Sequence, residues 1–403
     1  MNTSHTPVTG DQRLVKHINR VALLRLLRDV PGLSRAELSD RSGLTRSTIS
    51  LLTKELIDEG WLIEDDAVVT GQLGRRPVPL RLDGRKLALI GAELTPDTLR
   101  VVTTSIHGDV LESRSAELRH IEPEAACHQL VEMVTVLAQH VTQAGQQVLG
   151  IGVALPGAVD AARGQLRVAP NIGWRDVPVG ERLRAELAAV NLGDLPVLCQ
   201  NEADLAAIGE VEFGPRPVDS PLIYISCGVG LGSGIVLGHT LFTGATGAAG
   251  EIGHTTLQVG GRVCSCGRRG CAEAYVGLRA IAEAAGLRPK GSSLDHAGLR
   301  ARISTGDAQV SAAFREAGEH LGVLLQNVWT TFDPRAIVLG GEVVSLGGSA
   351  FVEPALATLA RYAQAAGVAA PQVRVGRFNE LAAAVGGAAY ALHALMNPYQ
   401  ARG

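Results

Sequence analysis

Apolar residues near the start of the chain recur at three- and four-residue intervals between residues 14 and 30, which is the spacing of a helix that buries one face. Pro31-Gly32 ends this pattern, because neither residue continues a helix well. Ser34 and Glu37 have the spacing of a capping box, which predicts a second, short helix that stops at Gly43. The chain therefore begins with helices separated by tight turns.

A third helix, capped by Thr45 and running to about residue 59, completes a helix-turn-helix pattern. Its apolar positions share one face, so its polar face can meet base edges and phosphates in a DNA major groove. The alternative is an ordinary helical hairpin with a solvated polar side. The predicted DNA contacts on this helix are Thr45, Arg46, Ser47, Ser50 and Lys54.

Two short apolar runs, Trp61-Leu62-Ile63 and Val68-Val69, flank an acidic tip and predict the two strands of a wing. An extended segment with two adjacent cations, Arg75 and Arg76, comes next. It can reach into an A·T-rich minor groove, although it can equally be a flexible, solvated linker. Residues 1–82 are thus predicted to form a winged helix-turn-helix DNA-binding domain.

Beyond residue 86, short buried strands alternate with longer helical patterns, which is typical of an α/β fold. The clearest strands are predicted near residues 87–91, 148–155, 197–201, 222–226 and 336–340. The clearest helices are predicted at 123–144, 179–190 and 379–396. At 403 residues, the chain is long enough for two or three domains.

The charges are unevenly distributed. Residues 1–86 carry 14 Lys and Arg against 11 Asp and Glu, whereas the whole chain has a net charge of −3. A basic head on an acidic body fits a nucleic-acid-binding module. The polar N-terminus lacks the apolar stretch of a signal peptide, and no run of about 18 apolar residues occurs. We therefore expect a cytoplasmic protein with no membrane partner.

Four potential metal ligands, His254, Cys264, Cys266 and Cys271, lie within eighteen positions. One imidazole and three thiolates form a typical tetrahedral zinc set, and four protein ligands leave no open position for water activation. We therefore predict a structural zinc. Read instead as a nucleic-acid zinc knuckle, the same segment would use its basic residues Arg262, Arg268 and Arg269. The other three cysteines lie in apolar runs and are expected to be buried hydrophobes: Cys127, Cys199 and Cys227.

The motif E-x-G-H at Glu251–His254, followed by C-x-C-G-x-x-G-C-x-E at Cys264–Glu273, resembles the ROK family (repressors, open reading frames, kinases) of sugar kinases and sugar-responsive regulators. The resemblance implies a two-lobed, actin-like α/β sugar-kinase fold behind the winged head. It places the first lobe at 87–198 plus 380–398 and the second, with the zinc segment, at 199–379. The sugar-binding residues it implies are Asn171, Asn201, Glu202, Glu251, His254 and Glu273.

The chain departs from the kinase pattern where that pattern holds ATP. The kinases carry Asp-x-Gly-Gly-Thr where this chain has residues 93–97, Glu-Leu-Thr-Pro-Asp, which lack both glycines. They carry Asn-Asp, with the Asp as general base, where this chain has Asn201-Glu202. They usually have Thr where Val229 stands here. A phosphate cradle needs free backbone amides and positive potential, so we predict a protein that is not an enzyme.

These features predict a DNA-binding transcriptional regulator, a repressor of sugar metabolism genes, that senses a sugar in a degenerate kinase cleft. Its predicted partners are double-stranded operator DNA, a small sugar effector and further copies of itself in a homodimer or homotetramer. One alternative is an active ATP-dependent sugar kinase that carries a DNA-binding head. Another is a DNA-binding protein that has lost its sugar pocket and answers to protein partners.

Overall fold

The N-terminal head of the computed structural model, which describes residues 12–66, 77–216, 218–287 and 294–397, combines three helices with a small antiparallel sheet. The sheet has the order β1-β3-β2. The elements of the head are α1 (Gln12–Asp29), β1 (Leu33–Ser34), α2 (Arg35–Ser42), α3 (Arg46–Asp58), β2 (Leu62–Glu64) and β3 (Pro79–Leu82). The predicted strand at Val68-Val69 lies outside the described residues, and β3 pairs with β2 to form the sheet.

The helix boundaries of the head follow from local capping chemistry. Ser34 accepts a hydrogen bond from the Glu37 amide while the Glu37 carboxylate accepts one from the Ser34 amide, so the predicted capping box is present. Gly43 has a left-handed φ of 72° and ends α2. Thr45 caps α3 by accepting a hydrogen bond from the Thr48 amide at 3.3 Å. The helix-turn-helix is therefore confirmed.

The first lobe is built on a five-stranded sheet with the order β11-β7-β4-β5-β6, beside a three-stranded sheet with the order β10-β9-β8. Strands β11, β7 and β4 are parallel, and β5 and β6 run antiparallel to their neighbours. The elements of this lobe are β4 (Leu87–Leu94), β5 (Thr98–Ser105), β6 (Val110–Glu117), α4 (Pro123–Gln143), β7 (Gln147–Leu155), β8 (Ala158–Asp160), β9 (Gln165–Ala169), β10 (Trp174–Val177), α5 (Val179–Ala189) and β11 (Val197–Asn201). Because all of β11 pairs with β7, this sheet extends to Asn201, three residues past the predicted lobe boundary at residue 198.

The second lobe follows helix α6 (Glu202–Glu212) and contains another five-stranded sheet, of order β14-β13-β12-β15-β16. Its elements are β12 (Leu222–Cys227), β13 (Leu231–Leu237), β14 (Thr240–Leu241), α7 (Glu273–Val276), α8 (Leu278–Ala284), α9 (His296–Ser304), α10 (Ala308–Phe332), β15 (Ala336–Gly340), α11 (Glu342–Ala366) and β16 (Gln372–Val375). By length and composition α11 could cross a membrane, yet Phe351, Ala355 and Leu359 on it are buried in the core of this lobe.

The last helix, α12 (Ala382–Leu395), returns to the first lobe, where it packs on β4 and β7 and against α6. Helix α6 also contacts β12 and β13 of the second lobe, so α6 and α12 lie between the two large sheets. The apolar core around them continues without a break into the head, since Leu27 and Leu56 belong to the same cluster of buried residues as Ile208 and Leu392. Head and body therefore share one core.

Candidate metal centre and the cleft beside it

The four predicted metal ligands meet in space. The ligand atoms of His254, Cys264, Cys266 and Cys271 all lie within 4.8 Å of one another. The Cys264 sulfur is 3.6 Å from His254 Nδ1, and the Cys266 and Cys271 sulfurs are 3.8 Å apart. A tetrahedral zinc with bonds of about 2.3 Å to sulfur and about 2.0 Å to nitrogen requires edges of about 3.8 Å and 3.6 Å. The donor set and its spacing therefore fit a tetrahedral metal ion.

Residues 250–273, which we call the metal loop, are held against β13 at their N-terminal end. Gly250 has a φ of 83°, and a side chain on it would come within 2.3 Å of the Ser233 carbonyl oxygen. The Ser233 hydroxyl donates a hydrogen bond to the Gly250 carbonyl at 2.8 Å. Only glycine fits this close contact, which fixes the starting point of the loop just before Glu251.

His254 presents its two nitrogens to different surroundings. Nδ1 faces Cys264, whereas Nε2 lies 3.9 Å from a carboxylate oxygen of Glu251. The side chain of Glu251 is 54% exposed and that of His254 is 21% exposed, so both remain reachable from solvent. A metal on Nδ1 would fix the ring and its tautomer, leaving Nε2–H as a hydrogen-bond donor beside a carboxylate acceptor.

Glu273 makes its hydrogen bonds inside the protein. One carboxylate oxygen accepts from the Leu231 amide at 3.2 Å, and the other accepts from the Ser265 hydroxyl at 2.5 Å. The side chain thereby joins the metal loop to the start of β13, directly after the glycine-rich turn at residues 228–230. The motif alone did not reveal these contacts; that Glu273 also binds a sugar stays a prediction.

Asn201 and Glu202 lie where β11 passes into α6. The Asn201 oxygen caps α6 by accepting from the Ala203 amide at 2.8 Å, and its nitrogen donates to the Gly157 carbonyl at 2.9 Å. The Glu202 side chain makes no hydrogen bond with the part of the chain that the structure describes. Burial, and then the nearby Glu93 and Glu251 carboxylates, raise the pKa of Glu202 to about 8. We call the space around the Glu202 carboxyl, between the two lobes, the cleft.

One carboxyl group at the cleft was missed by the sequence-based prediction. Asp204, the third residue of α6, is 5% exposed, and burial together with the charge of Glu251 raises its pKa to about 7. The sequence gave no sign of this burial, because acidic residues in the first turn of a helix are usually exposed. Asn171, by contrast, is exposed in a short 3-10 turn after β9, where its side chain makes no hydrogen bond with the described residues.

Residues 93–98, which we call the phosphate hairpin, close the turn between β4 and β5. The Thr95 amide donates to the Thr98 carbonyl at 2.9 Å, and the Thr98 amide donates to the Thr95 hydroxyl at 2.9 Å. Pro96 has no amide hydrogen, so of the turn residues 95–98 only Asp97 keeps an amide without a partner in the described structure. Arg100 binds Glu93 across the strands at 3.0 Å. The turn therefore offers almost nothing to a phosphate group.

Two family models match this chain. Residues 97–394 match the model described as ROK family, and residues 17–63 match the one described as winged helix-turn-helix DNA-binding. The chain belongs to the ROK family. It is 31% identical over 357 residues to the xylose repressor of Caldicellulosiruptor bescii, a match that covers 85% of this chain and 88% of that protein.

Solved ROK structures confirm the fold. A ROK family transcriptional regulator, a homologue of the E. coli MLC protein, superposes with a TM-score of 0.76 at 24% identity and covers 96% of this chain and 98% of that one. A ROK glucokinase from Streptomyces griseus, in complex with glucose and AMPPNP, gives 0.63 at 26% identity, with 76% of this chain and 99% of that one covered. The ROK assignment and the winged head make this chain a DNA-binding transcriptional regulator, and the family also includes kinases.

The exposed face of α3 in this ROK protein carries the predicted DNA contacts. Arg46 and Lys54 are exposed and make no hydrogen bond or ion pair within the described ranges, whereas Thr45 and Ser47 share a hydrogen bond at 2.9 Å. Ser50 is also exposed. The predicted contacts Arg75 and Arg76 lie outside the described residues.

The same face includes an apolar residue that the sequence-based prediction passed over. Leu51 is 57% exposed on α3 and can contact a thymine methyl group.

The arginines of the metal loop are engaged within the protein. Arg262 stacks over the Tyr275 ring at 4.9 Å and pairs with Glu316, while Arg268 donates to the Cys266 sulfur at 3.4 Å. Arg269 donates to the Gly261 carbonyl at 3.4 Å. These contacts disfavour the nucleic-acid zinc-knuckle interpretation, because the basic groups already bind partners within the protein.

Proposed function

We propose that this protein is a cytoplasmic, sugar-responsive transcriptional repressor that binds its operator as a homodimer or homotetramer. A small sugar binds in the cleft and changes the affinity of the winged heads for DNA. The observation that carries this proposal is the contrast across the cleft. On one side, the metal loop presents the His254 imidazole and the Glu251 carboxylate. On the other side, the phosphate hairpin lacks the free backbone amides that would hold a phosphate.

His254, Cys264, Cys266 and Cys271 would hold a structural zinc, which cross-links the metal loop. The residues themselves then recognise the sugar. His254 donates through Nε2, and Glu251 accepts from a sugar hydroxyl beside it. Glu273 and Ser265 keep the loop in register with β13, so that these two groups stay in place.

Glu202 supplies a third contact to the sugar. Because burial and neighbouring carboxylates raise its pKa to about 8, the group is mostly protonated at pH 7. A protonated carboxyl donates one hydrogen bond and accepts another, which suits a sugar hydroxyl. It is a poor general base in that state, since it cannot take a second proton. Asn201 supports this group by fixing the start of α6, and Asn171 lies on the exposed rim of the first lobe.

Xylose is the first effector to test, since the C. bescii relative is named a xylose repressor. A pentose and a hexose differ by one hydroxymethyl group, so the distinction depends on the walls of the cleft. We therefore propose an aldopentose as the effector class, with aldohexoses as the comparison.

The test uses full-length protein and a fluorescent DNA fragment from upstream of its own gene. Anisotropy titrations with D-xylose, L-arabinose, D-glucose and N-acetylglucosamine should give an operator affinity that one sugar shifts by about 5–150-fold. Random DNA of equal length is the control. An operator affinity that ignores every sugar would contradict the proposal.

Phosphoryl transfer is tested in parallel by following ADP release with ATP, magnesium and the same sugars. We expect no sugar-dependent turnover. Wild-type turnover that disappears in Glu202→Gln would establish the kinase alternative instead, because Glu202 would then take part in catalysis. ADP release and operator affinity are measured independently of each other.

A further inference from the structure

We propose that Glu212, at the C-terminal end of α6, is a positioning residue that couples the cleft to the DNA-binding head through Arg28. This inference rests on the proposed function, because it concerns how sugar binding in the cleft reaches the operator. The path consists of one helix, with the cleft at its first residue and the head at its last.

The N-terminal end of α6 belongs to the cleft. Asn201 caps the helix, Glu202 is its first residue, and Asp204 is buried in its first turn. A sugar that binds Glu202 therefore pulls directly on the start of the helix. With 11 residues, α6 extends about 16 Å from this point.

The C-terminal end of α6 lies under the head. The Glu212 side chain is 2% exposed and binds Arg28 of α1 through one carboxylate oxygen. His393 of α12 binds the other oxygen at 2.7 Å. Arg28 and Glu212 are 184 positions apart in the sequence, and α1 leads directly into the helix-turn-helix. One carboxylate therefore joins α6, the last helix of the body and the first helix of the head.

Between its ends, α6 is packed too closely to bend. A side chain on Gly209 would come within 3.2 Å of the backbone of Gly386 in α12. On the other side, a side chain on Gly234 in β13 would come within 2.4 Å of the Ala203 carbonyl oxygen. Backbone-to-backbone contacts of this kind have little room for local adjustment, so a displacement at the cleft moves the whole helix.

Electrostatics make the Glu212 contact sensitive to small displacements. Burial opposes its ionisation, but the hydrogen bond with His393 and the charges of Arg28 and Arg216 hold the pKa of Glu212 at about 2. Arg25 Nε, Arg28 Nε and Arg216 Nη1 are buried without a hydrogen-bond partner among the described residues. A shift of Glu212 would remove the buried carboxylate of this arginine cluster and leave only the half-exposed Asp29 near it, so α1 would then reposition.

The same helix provides a matched control. Glu210 is also buried, at 3% exposure, and its carboxylate accepts from Arg374 at 2.6 Å and from the Arg377 amide at 2.8 Å. These partners lie in the body, on β16 and just after it. Loss of the Glu210 charge therefore disturbs a buried ion pair on α6 without touching the head.

The experiment measures operator affinity of the full-length protein with and without D-xylose, together with the affinity of the protein for D-xylose by calorimetry. In the wild type we expect the sugar to shift operator affinity about 5–150-fold. In Glu212→Gln we expect that ratio to fall to within about twofold of one, with an unchanged affinity for the sugar. Glu210→Gln should keep the wild-type ratio.

The outcomes separate the two proposals. A wild-type protein that ignores the sugar contradicts the proposed function itself. A wild type and a Glu212→Gln variant that respond equally contradict only the coupling role, as does a loss of sugar affinity in Glu212→Gln or a loss of response in Glu210→Gln. If Glu212→Gln does not fold, Arg28→Met replaces it, with the same expectation, and Arg28→Lys should restore part of the response.

Discussion

The metal loop and the phosphate hairpin face the same Glu202 carboxyl, yet they have opposite chemistry. Burial raises the pKa of Glu202, and the charges of Glu93 in the hairpin and Glu251 in the metal loop raise it further, so both regions act on this carboxyl. In the metal loop, four potential ligand atoms lie within 4.8 Å of one another, and His254 Nε2 lies 3.9 Å from a carboxylate oxygen of Glu251. In the hairpin, three of four turn residues have no free amide.

The difference indicates which half of a kinase reaction this fold still supports. Binding a sugar needs only fixed hydrogen-bond partners, which in our proposal the metal loop supplies. Phosphoryl transfer also needs a phosphate cradle, which the hairpin lacks. Glu273 adds a second obstacle, because its carboxylate occupies the Leu231 amide, directly after the glycine-rich turn. Under the proposed function, the two regions together form a sugar-binding site that does not transfer phosphate.

The largest expected effect comes from breaking the metal cluster. Cys271→Ser removes a fully buried ligand, so we expect the zinc content to fall from one per chain to near zero. Sugar affinity should fall at least about 100-fold, because the loop loses its cross-link. Metal analysis and calorimetry check this. Cys127→Ser, at a buried cysteine of α4, is the control and should retain both; zinc retained by Cys271→Ser would contradict the ligand assignment.

Local chemistry explains which parts of the structure could be predicted from sequence. The capping box at Ser34 and Glu37 and the metal ligands lie close along the chain, so their spacing alone predicted their contacts. Glu273 could not be assigned its partner in this way, because the Leu231 amide lies 42 positions away. The Arg28–Glu212 pair is more distant still, and only the tertiary fold brings it together.

The next effect concerns the carboxyl that lies between the two regions. Glu202 has its pKa raised from 4.5 to about 8, so the folded state holds its proton more tightly than the unfolded state does. Stability is therefore lost as the pH rises from about 5 to 8. Glu202→Gln removes this loss, and we expect its melting temperature to exceed that of the wild type by about 2–4 °C at pH 8 and to match it at pH 5.

Scanning calorimetry across this pH range measures the difference between Glu202→Gln and the wild type. The control is Glu181→Gln, which makes the same substitution at an exposed glutamate in the first turn of α5, away from the cleft. A Glu202→Gln melting temperature that runs parallel to the wild type at every pH would show that burial does not disfavour this carboxylate.

A smaller effect separates positioning from direct contact in the metal loop. Glu273→Gln weakens the hydrogen bonds to Ser265 and Leu231 but leaves all four metal ligands, so zinc should stay bound and sugar affinity should fall about tenfold. Ser265→Ala removes one of the same bonds and should cause part of that loss. If Glu273→Gln weakens sugar binding while Ser265→Ala changes nothing, Glu273 contacts the sugar directly.

The smallest expected effect comes from rebuilding the hairpin. Replacing Thr95 and Pro96 by Gly and Asp97 by Thr restores the kinase residues at the turn and removes one negative charge. We still expect no ADP release above background, because Glu93 stays paired with Arg100 and the carboxylate of Glu273 still occupies the Leu231 amide. Unchanged sugar affinity in the same variant would confirm that the sugar depends on the metal loop. Measurable sugar-dependent turnover would mean that the hairpin alone separates this regulator from a kinase.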